Sequence, residues 1–401
     1  MTPEQVRQAL SVIEPELVAI RRQIHAHPET CYEEFQTAAL VAAKLGEWGI
    51  ACTTGVGGTG VVATLTGKRP GNRSIGLRAD MDALNILEQT GLPYASTIPG
   101  KMHACGHDGH TAMLLGAARV LALDPDFAGT VTFIFQPAEE GGAGGLAMLN
   151  DGLFERFPCD SVYALHNKPG IDVGHFATRP GPMLAATDSW TVRLHGSGGH
   201  GGSGPHLATD PTIALGNFIQ GLQTIVGRNV PPAEPAVISI GHIAAGSAQA
   251  PNVIPSLVTI CGTARCYAPA VRETLQRRIR EIAEGYAAVS GCTAEIVFDA
   301  GYPPLINSAP ETDIAIAAAA ALVGRDQVDG NIAPLTAGED FAYLLQRRPG
   351  ANMMIGNGTG ENGRFSNLHT PKYDFNDAIL TLGSAYWVSL VDSVLNGSIH
   401  V

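Results

Sequence analysis

Eight residues, His103 to His110, read HACGHDGH and hold three histidines, a cysteine and an aspartate. Each of these side chains can bind a metal, yet one short loop rarely aims all five at one point. Four other stretches concentrate donors: RADMDAL with Asp80 and Asp82, QPAEEGGAG with Glu139 and Glu140, ALHN with His166, and NLHTPKYDF with His369. Carboxylates, imidazoles and a thiolate together suit zinc, manganese, cobalt or nickel better than magnesium or calcium, which prefer all-oxygen shells. Adjacent glutamates are usually solvated surface charge. Here they end an apolar run and precede GGAGG, where glycines let backbone approach a ligand. One glutamate can ligate while its neighbour stays free to take a proton from water and pass it to a leaving amine. A bound cation lowers the pKa of water towards roughly 7, which makes such a base effective at neutral pH. Residue types alone leave the ligand set open. Cys105 also reads as a buried inert thiol, and His166 and His369 as hydrogen-bonded strand-end histidines.

Strands and helices must bring these stretches together. Helical apolar spacing covers residues 4–27 and 34–48, separated by HAHPET. GVVATLTG, SIGLRADMDAL, GTVTFIFQPAEE and SVYALHN read as strands, and HTAMLLGAARVLAL as a buried helix after the histidine-rich loop. Strands alternating with helices, with polar groups at strand C-terminal ends, predict an α/β sheet with a site along one edge. The pattern changes near residue 186. ATDSWTVRLHG, AVISIGHIAAG, LVTICGTARCY and TAEIVFDAG read as strands, with helices in DPTIALGNFIQGLQTIVGR and VRETLQRRIREIAEGYAAVSG. Their order is β-α-β-β-α-β, the split βαβ pattern of a ferredoxin-like domain. The expected organisation is a discontinuous catalytic domain, residues 1–185 and 300–401, with an inserted lid or dimerisation domain at 186–299.

Composition excludes several function classes. The formal net charge of −12 disfavours a nucleic acid partner, which needs basic patches. No basic segment followed by an apolar core opens the chain, and no 18-residue apolar run occurs, so neither a signal peptide nor a membrane span is expected. The seven cysteines are scattered without a CxxC pair, which predicts reduced thiols in the cytoplasm. Ser203, in GGSG, lacks the GxSxG elbow of a serine hydrolase.

Taken in order, RQIHAHPE, LRADMDAL, HACGHDGHT, QPAEEGGAG, GGHGGSGPH, APNVIP, GTARCY, GEDFAYL and NLHTPKYDF resemble the M20 metallopeptidases. The subgroup is that of hippurate hydrolases, N-acyl-amino-acid amidohydrolases and auxin-conjugate hydrolases. The resemblance spans about residues 18–392. It implies a zinc-peptidase-like α/β/α catalytic domain and two divalent metal ions per subunit, of zinc, manganese, cobalt or nickel. Cys105, His107, Glu140, His166 and His369 would be the ligands, and Glu139 the general base. Cys105 stands where many other branches use a bridging aspartate, so its thiolate would bridge the two metals. Asp80 stands where those branches use a first histidine ligand, so it and Asp82 are assigned to support. Asp108 is expected to orient a ligand imidazole, with His103 and His110 framing the loop.

The same resemblance gives the inserted domain a part in catalysis. His200 would reach a catalytic site, often the partner subunit's, and stabilise the tetrahedral oxyanion. Asn252 and Arg265 would hold the substrate carboxylate, with Arg265 as a bidentate fork. Glu339 and Asp340 would lie near the site, capping a helix or supporting a ligand. The implied activity is metal-dependent hydrolysis of N-acyl amino acids, in a homodimer or higher homo-oligomer. The alternatives are a dipeptidase or carboxypeptidase on the same centre, or a metal-binding homologue without catalysis.

Overall fold

The computed structural model describes residues 1–360, 363 and 365–397. The chain divides into two compact units. One comprises Met1–Gly181, Ile306–Ala333 and Asp340–Val401; the other comprises Pro182–Leu305 and Pro334–Glu339.

The first unit is built on an eight-stranded sheet. Its strands, in spatial order, are Cys52–Val56, Gly60–Thr66, Ala128–Gln136, Arg69–Asp80, Ser161–Pro169, Gly350–Gly358, Phe176–Ala177 and Val328–Asp329. The four consecutive strands from Ala128–Gln136 to Gly350–Gly358 run parallel. Parallel strands buried on both faces read as continuous apolar runs, as VTFIF does within residues 131–135. The register sets Asp80 beside Gln136 and His166 beside Met354, so polar residues gather where these strands end. Ligand sites in open α/β sheets form outside those carboxyl ends.

Helices Pro3–Ala26, His107–Leu123 and Leu380–Asn396 pack on one another beside this sheet. Leu17, Ile20, Met113, Leu114, Tyr386 and Trp387 belong to their shared apolar core. Sequence periodicity did not register the helix Leu380–Asn396 or the central strand Gly350–Gly358. The segment Asp377–Asn396 is long and apolar enough to cross a membrane by composition, and 72% of its apolar window is buried inside the fold, as in a core helix. Helix His107–Leu123 begins inside the histidine-rich loop, not after it, so His107, Asp108 and His110 occupy its first turn.

The second unit carries a four-stranded antiparallel sheet in the order Ala236–Ala245, Leu257–Cys266, Ala186–His195, Thr293–Ala300. In chain order this is the β-α-β-β-α-β arrangement, with helices Pro211–Asn229 and Pro269–Val289. Trp190, Val192, Leu194, Phe218, Leu222, Ile260 and Ile279 form its own core. Strand alternation explains how one face is buried: Trp190, Val192 and Leu194 point to the helices, while Thr191 and Arg193 are less buried. Ala236–Ala245 is an edge strand, with Val237 and Ile243 exposed.

Candidate metal centre

The donor-rich stretches converge at the carboxyl ends of the first unit's parallel strands. Ligand atoms of Asp80, His107, His110 and His166 lie within 4.8 Å of one another. So do those of Cys105, Glu140 and His369, and those of His107, Glu139 and Glu140. His107 and Glu140 are shared between groups and tie the three into one cluster. Cys105 Sγ lies 3.5 Å from His166 Nε2. Glu140 Oε1 lies 3.1 Å from His369 Nε2 and 3.9 Å from His107 Nε2.

Hydrogen bonds set the imidazole orientations. His166 Nδ1–H donates to the Asn167 carbonyl at 2.7 Å, which leaves Nε2 facing Cys105 with its lone pair. His107 Nδ1–H donates to Asp82 at 3.2 Å, and its Nε2 is buried with no hydrogen-bond partner among the described residues. A buried orphan nitrogen is costly unless something else binds it. Both nitrogens of His110 are engaged, Nδ1 by Asp80 at 2.6 Å and Nε2 by the Asn167 amide at 3.0 Å. His103 is buried without a partner on either nitrogen among the described residues, and burial lowers its pKa to about 3.

Electrostatics favour a cation here. Burial alone would lower the His107 pKa, but Asp80 and then Asp82 outweigh it and hold the ring at about 10. Burial, followed by the charges of Glu140 and Glu139, pushes the Cys105 thiol well above its ordinary value. Burial, followed by His110, keeps His166 neutral, the form that ligates. Closely packed carboxylates beside neutral or orphaned donors are a donor set that a divalent ion completes, because its charge inverts these local preferences.

Local backbone explains how the loop reaches this geometry. Gly106 has φ 92, and a Cβ there would lie 2.5 Å from both Asn167 Oδ1 and Tyr373 Oη. Only glycine fits between Cys105 and His107. His369 itself is left-handed at φ 61, and its amide donates to the Ala104 carbonyl at 2.8 Å.

One support differs from expectation. Asp108 does not meet a ligand imidazole. Its Oδ2 lies 2.9 Å from Arg21 Nε and 2.8 Å from His25 Nδ1, all fully buried. Asp82 instead orients His107, and its second oxygen accepts the Glu140 amide at 2.9 Å. The sequence reading missed Arg21, His25 and Glu88, although RQIHAHPE carries His25 and begins one residue after Arg21. Asp340 anchors a buried network: its carboxylate meets Arg78, Gln136 and the Gly145 amide at 2.7–2.9 Å, and its own amide donates to Glu139 at 3.4 Å.

The remaining expected residues lie in the second unit. His200 is exposed on the short strand Gly199–His200, paired with Val253, and Asn252 precedes that partner. His200 Nδ1 accepts the Gly202 and Ser203 amides at 3.1 Å each, so the proton resides on Nε2. Arg265 lies near the end of strand Leu257–Cys266, where its Nη1 donates to Thr263 and to the Ala264 carbonyl. The start of that strand, Leu257, pairs with His195 and leads to the His200 ladder. At ordinary strand rise Arg265 is roughly 26 Å along from Leu257. Arg265 and the His200–Asn252 pair therefore sit at opposite ends of the strand within one chain.

The model of peptidase family M20/M25/M40 matches residues 76–393. The chain belongs to this family. A hippurate hydrolase of Campylobacter jejuni is 40% identical over 378 residues, 94% of this chain and 96% of that relative. An N-acetyl-L-cysteine deacetylase of Bacillus subtilis is 43% identical over 348 residues, 86% and 82% of the two chains. The crystal structure of the Bacillus subtilis YXEP protein, described as a dinuclear metal binding peptidase from the M20 family, matches with a TM-score of 0.82. It is 33% identical, and the match covers 96% of this chain and 99% of that one. The two-domain α/β architecture is thus an M20 architecture.

Proposed function

We propose that this M20 chain hydrolyses the amide bond of N-acyl amino acids, releasing a carboxylic acid and a free amino acid, with two divalent metal ions at the cluster. The observation that carries it is the division of labour between adjacent glutamates. Glu140 turns to His107 and His369, while Glu139 is held beside them by the Asp340 amide. Names of relatives that cleave acylated amino acids support the substrate class.

Cys105, His107, Glu140, His166 and His369 are the residues that would hold the ions. Bound divalent ions polarise a scissile carbonyl and acidify water. Glu139 takes a proton from the attacking water and hands it to the leaving nitrogen. His200 presents its Nε2–H to the oxygen on which charge develops, with the tautomer fixed by the Gly202 and Ser203 amides. Asn252 and Arg265 hold the substrate carboxylate, and their separation within one chain supports drawing the two from different copies. A homodimer supplies them, and the unpaired edge strand Ala236–Ala245 with exposed Val237 and Ile243 is the surface we assign to it. The seven unpaired cysteines support a reducing, cytoplasmic setting.

The test is a kinetic panel on chelator-stripped protein reloaded separately with Zn²⁺, Mn²⁺, Co²⁺ or Ni²⁺. Benzoyl-, acetyl- and longer-chain acyl-amino acids are compared with free-amine dipeptides. Metal-restored turnover of the acylated substrates is expected. Preference for free-amine dipeptides would move the assignment to a dipeptidase, and silence of the loaded protein on every substrate to a binding protein.

A further inference from the structure

Glu34 is fully buried, and among the described residues the hydrogen bonds it accepts come from two backbone amides and a hydroxyl, not from a cation. Its Oε1 accepts the Tyr32 amide at 3.0 Å and the Ala138 amide at 2.9 Å, and its Oε2 accepts the Thr59 hydroxyl. Burying a carboxylate is costly, and backbone N–H donors offset that cost only if they are well placed. Ala138 is placed in an unusual way. It is left-handed at φ 53, a region that side-chain-bearing residues seldom adopt, and it immediately precedes Glu139 and Glu140. The Ala138 carbonyl accepts the Gly144 amide at 3.1 Å and closes the glycine loop. The Glu140 amide is held in turn by Asp82 at 2.9 Å. Two buried carboxylates therefore grip the backbone on either side of Glu139. Strain of this kind persists only where its surroundings over-determine it, and it gathers at working sites.

We infer that Glu34 is a positioning residue: its carboxylate pins Ala138 in the left-handed turn that aims Glu139 at the cluster. The inference rests on the proposed role of Glu139 as base. Glu34 touches neither substrate nor the cluster and acts only through the Ala138 amide. A glutamine in its place keeps an oxygen for both amides, and its NH₂ can donate to Thr59, whose hydroxyl rotates to accept. An aspartate keeps the charge but falls short of the Ala138 amide. Reach, not charge, is what the turn requires.

The experiment compares Glu34→Gln, Glu34→Asp and the double variant Glu34→Asp/Ala138→Gly on a metal-loaded full chain, with kcat, KM and thermal melting recorded for each. Glu34→Asp is expected to lower kcat about tenfold or more, with KM changed less than about threefold, because a misaimed base slows chemistry without loosening substrate. Glu34→Gln is expected to stay within about threefold of the wild type. Glycine enters the left-handed region without the penalty of a Cβ, so adding Ala138→Gly to Glu34→Asp should restore kcat by about threefold or more. A merely structural carboxylate would shift the melting temperature and gain no kcat from the glycine. Wild-type kcat in Glu34→Asp, equal losses in the Gln and Asp variants, or no recovery in the double variant would each overturn the inference. Glu139→Gln run alongside separates the two claims: if it turns over at the wild-type rate, the base assignment fails, not the Glu34 contact.

Discussion

Asp82 and His107 are joined by a 3.2 Å contact from Oδ1 to Nδ1, while the other oxygen of Asp82 accepts the Glu140 amide at 2.9 Å. One carboxylate thus fixes two members of the cluster from outside it. Partners of this kind set ligand orientation, and their loss typically lowers metal affinity about 10–100-fold. Asp82→Asn is expected to fall in that range when metal content is titrated against a competing chelator. Unchanged affinity would mean that Asp82 does not govern His107.

Cys105 faces His166 at 3.5 Å and shares its group with Glu140 and His369. Cys105→Ser is expected to retain less metal after dialysis, since a neutral hydroxyl replaces an ionisable donor. Cys105→Asp is expected to retain metal, with preference displaced away from softer ions. Elemental analysis of dialysed protein reads both outcomes.

Arg21 lies fully buried against Asp108, and His25 donates to the same carboxylate. Removing one partner of a buried pair leaves the other charge uncompensated, typically at about 3–5 kcal/mol. Arg21→Met should therefore unfold at clearly lower denaturant concentration. Helix Pro3–Ala26 and the first turn of helix His107–Leu123 would keep only the His25–Asp108 bond as their polar tie.

The same cluster makes stability depend on pH. Burial alone would lower the His25 pKa, but its hydrogen bonds to Asp108 and Glu88 outweigh that and raise it to about 9. A folded value above the unfolded one, roughly 6.5, means full stabilisation below that pH and loss as pH rises through about 9. Denaturation midpoints are expected to fall between these limits, and the fall should be smaller in His25→Gln.

His200 and Arg265 occupy opposite ends of one strand system, so under the proposed roles a working site would draw them from different chains. Mixing His200→Ala chains with Arg265→Met chains under subunit exchange should recover activity that neither has alone. Random pairing makes half the dimers mixed with one intact site each, or about a quarter of wild-type turnover. A charge at the exposed edge, Ile243→Lys, should weaken the dimer and the recovery together.

Much of this site was legible because its donors stand at the ends of apolar runs, where parallel strands deliver them. VTFIFQPAEE and VYALHN carry both the strand and the donor that follows it. The β-α-β-β-α-β order was legible because each element has its own period. Strand Gly350–Gly358 was not, since GANMMIGNG has glycines at both ends and too short an apolar run between them. Helix Leu380–Asn396 is buried on most sides, which blurs the one-faced pattern that marks a surface helix. The partners of Asp108 were out of reach for a different reason: Arg21 and His25 lie more than eighty residues away and meet it only through helix packing. Glu34 likewise reads as one of two acids in CYEEF, and only its burial and its contact with Ala138 set it apart.

The central claim is that Glu139 moves the proton while Glu140 and its neighbours hold metal. The most direct measurement is Glu139→Gln, metal-loaded, with bound metal quantified and hydrolysis of a benzoyl- or acetyl-amino acid followed in the same preparation. Full metal content with kcat lowered by about 10²–10⁴ is the predicted result, the usual worth of a positioned general base. Full metal content with wild-type turnover would contradict it.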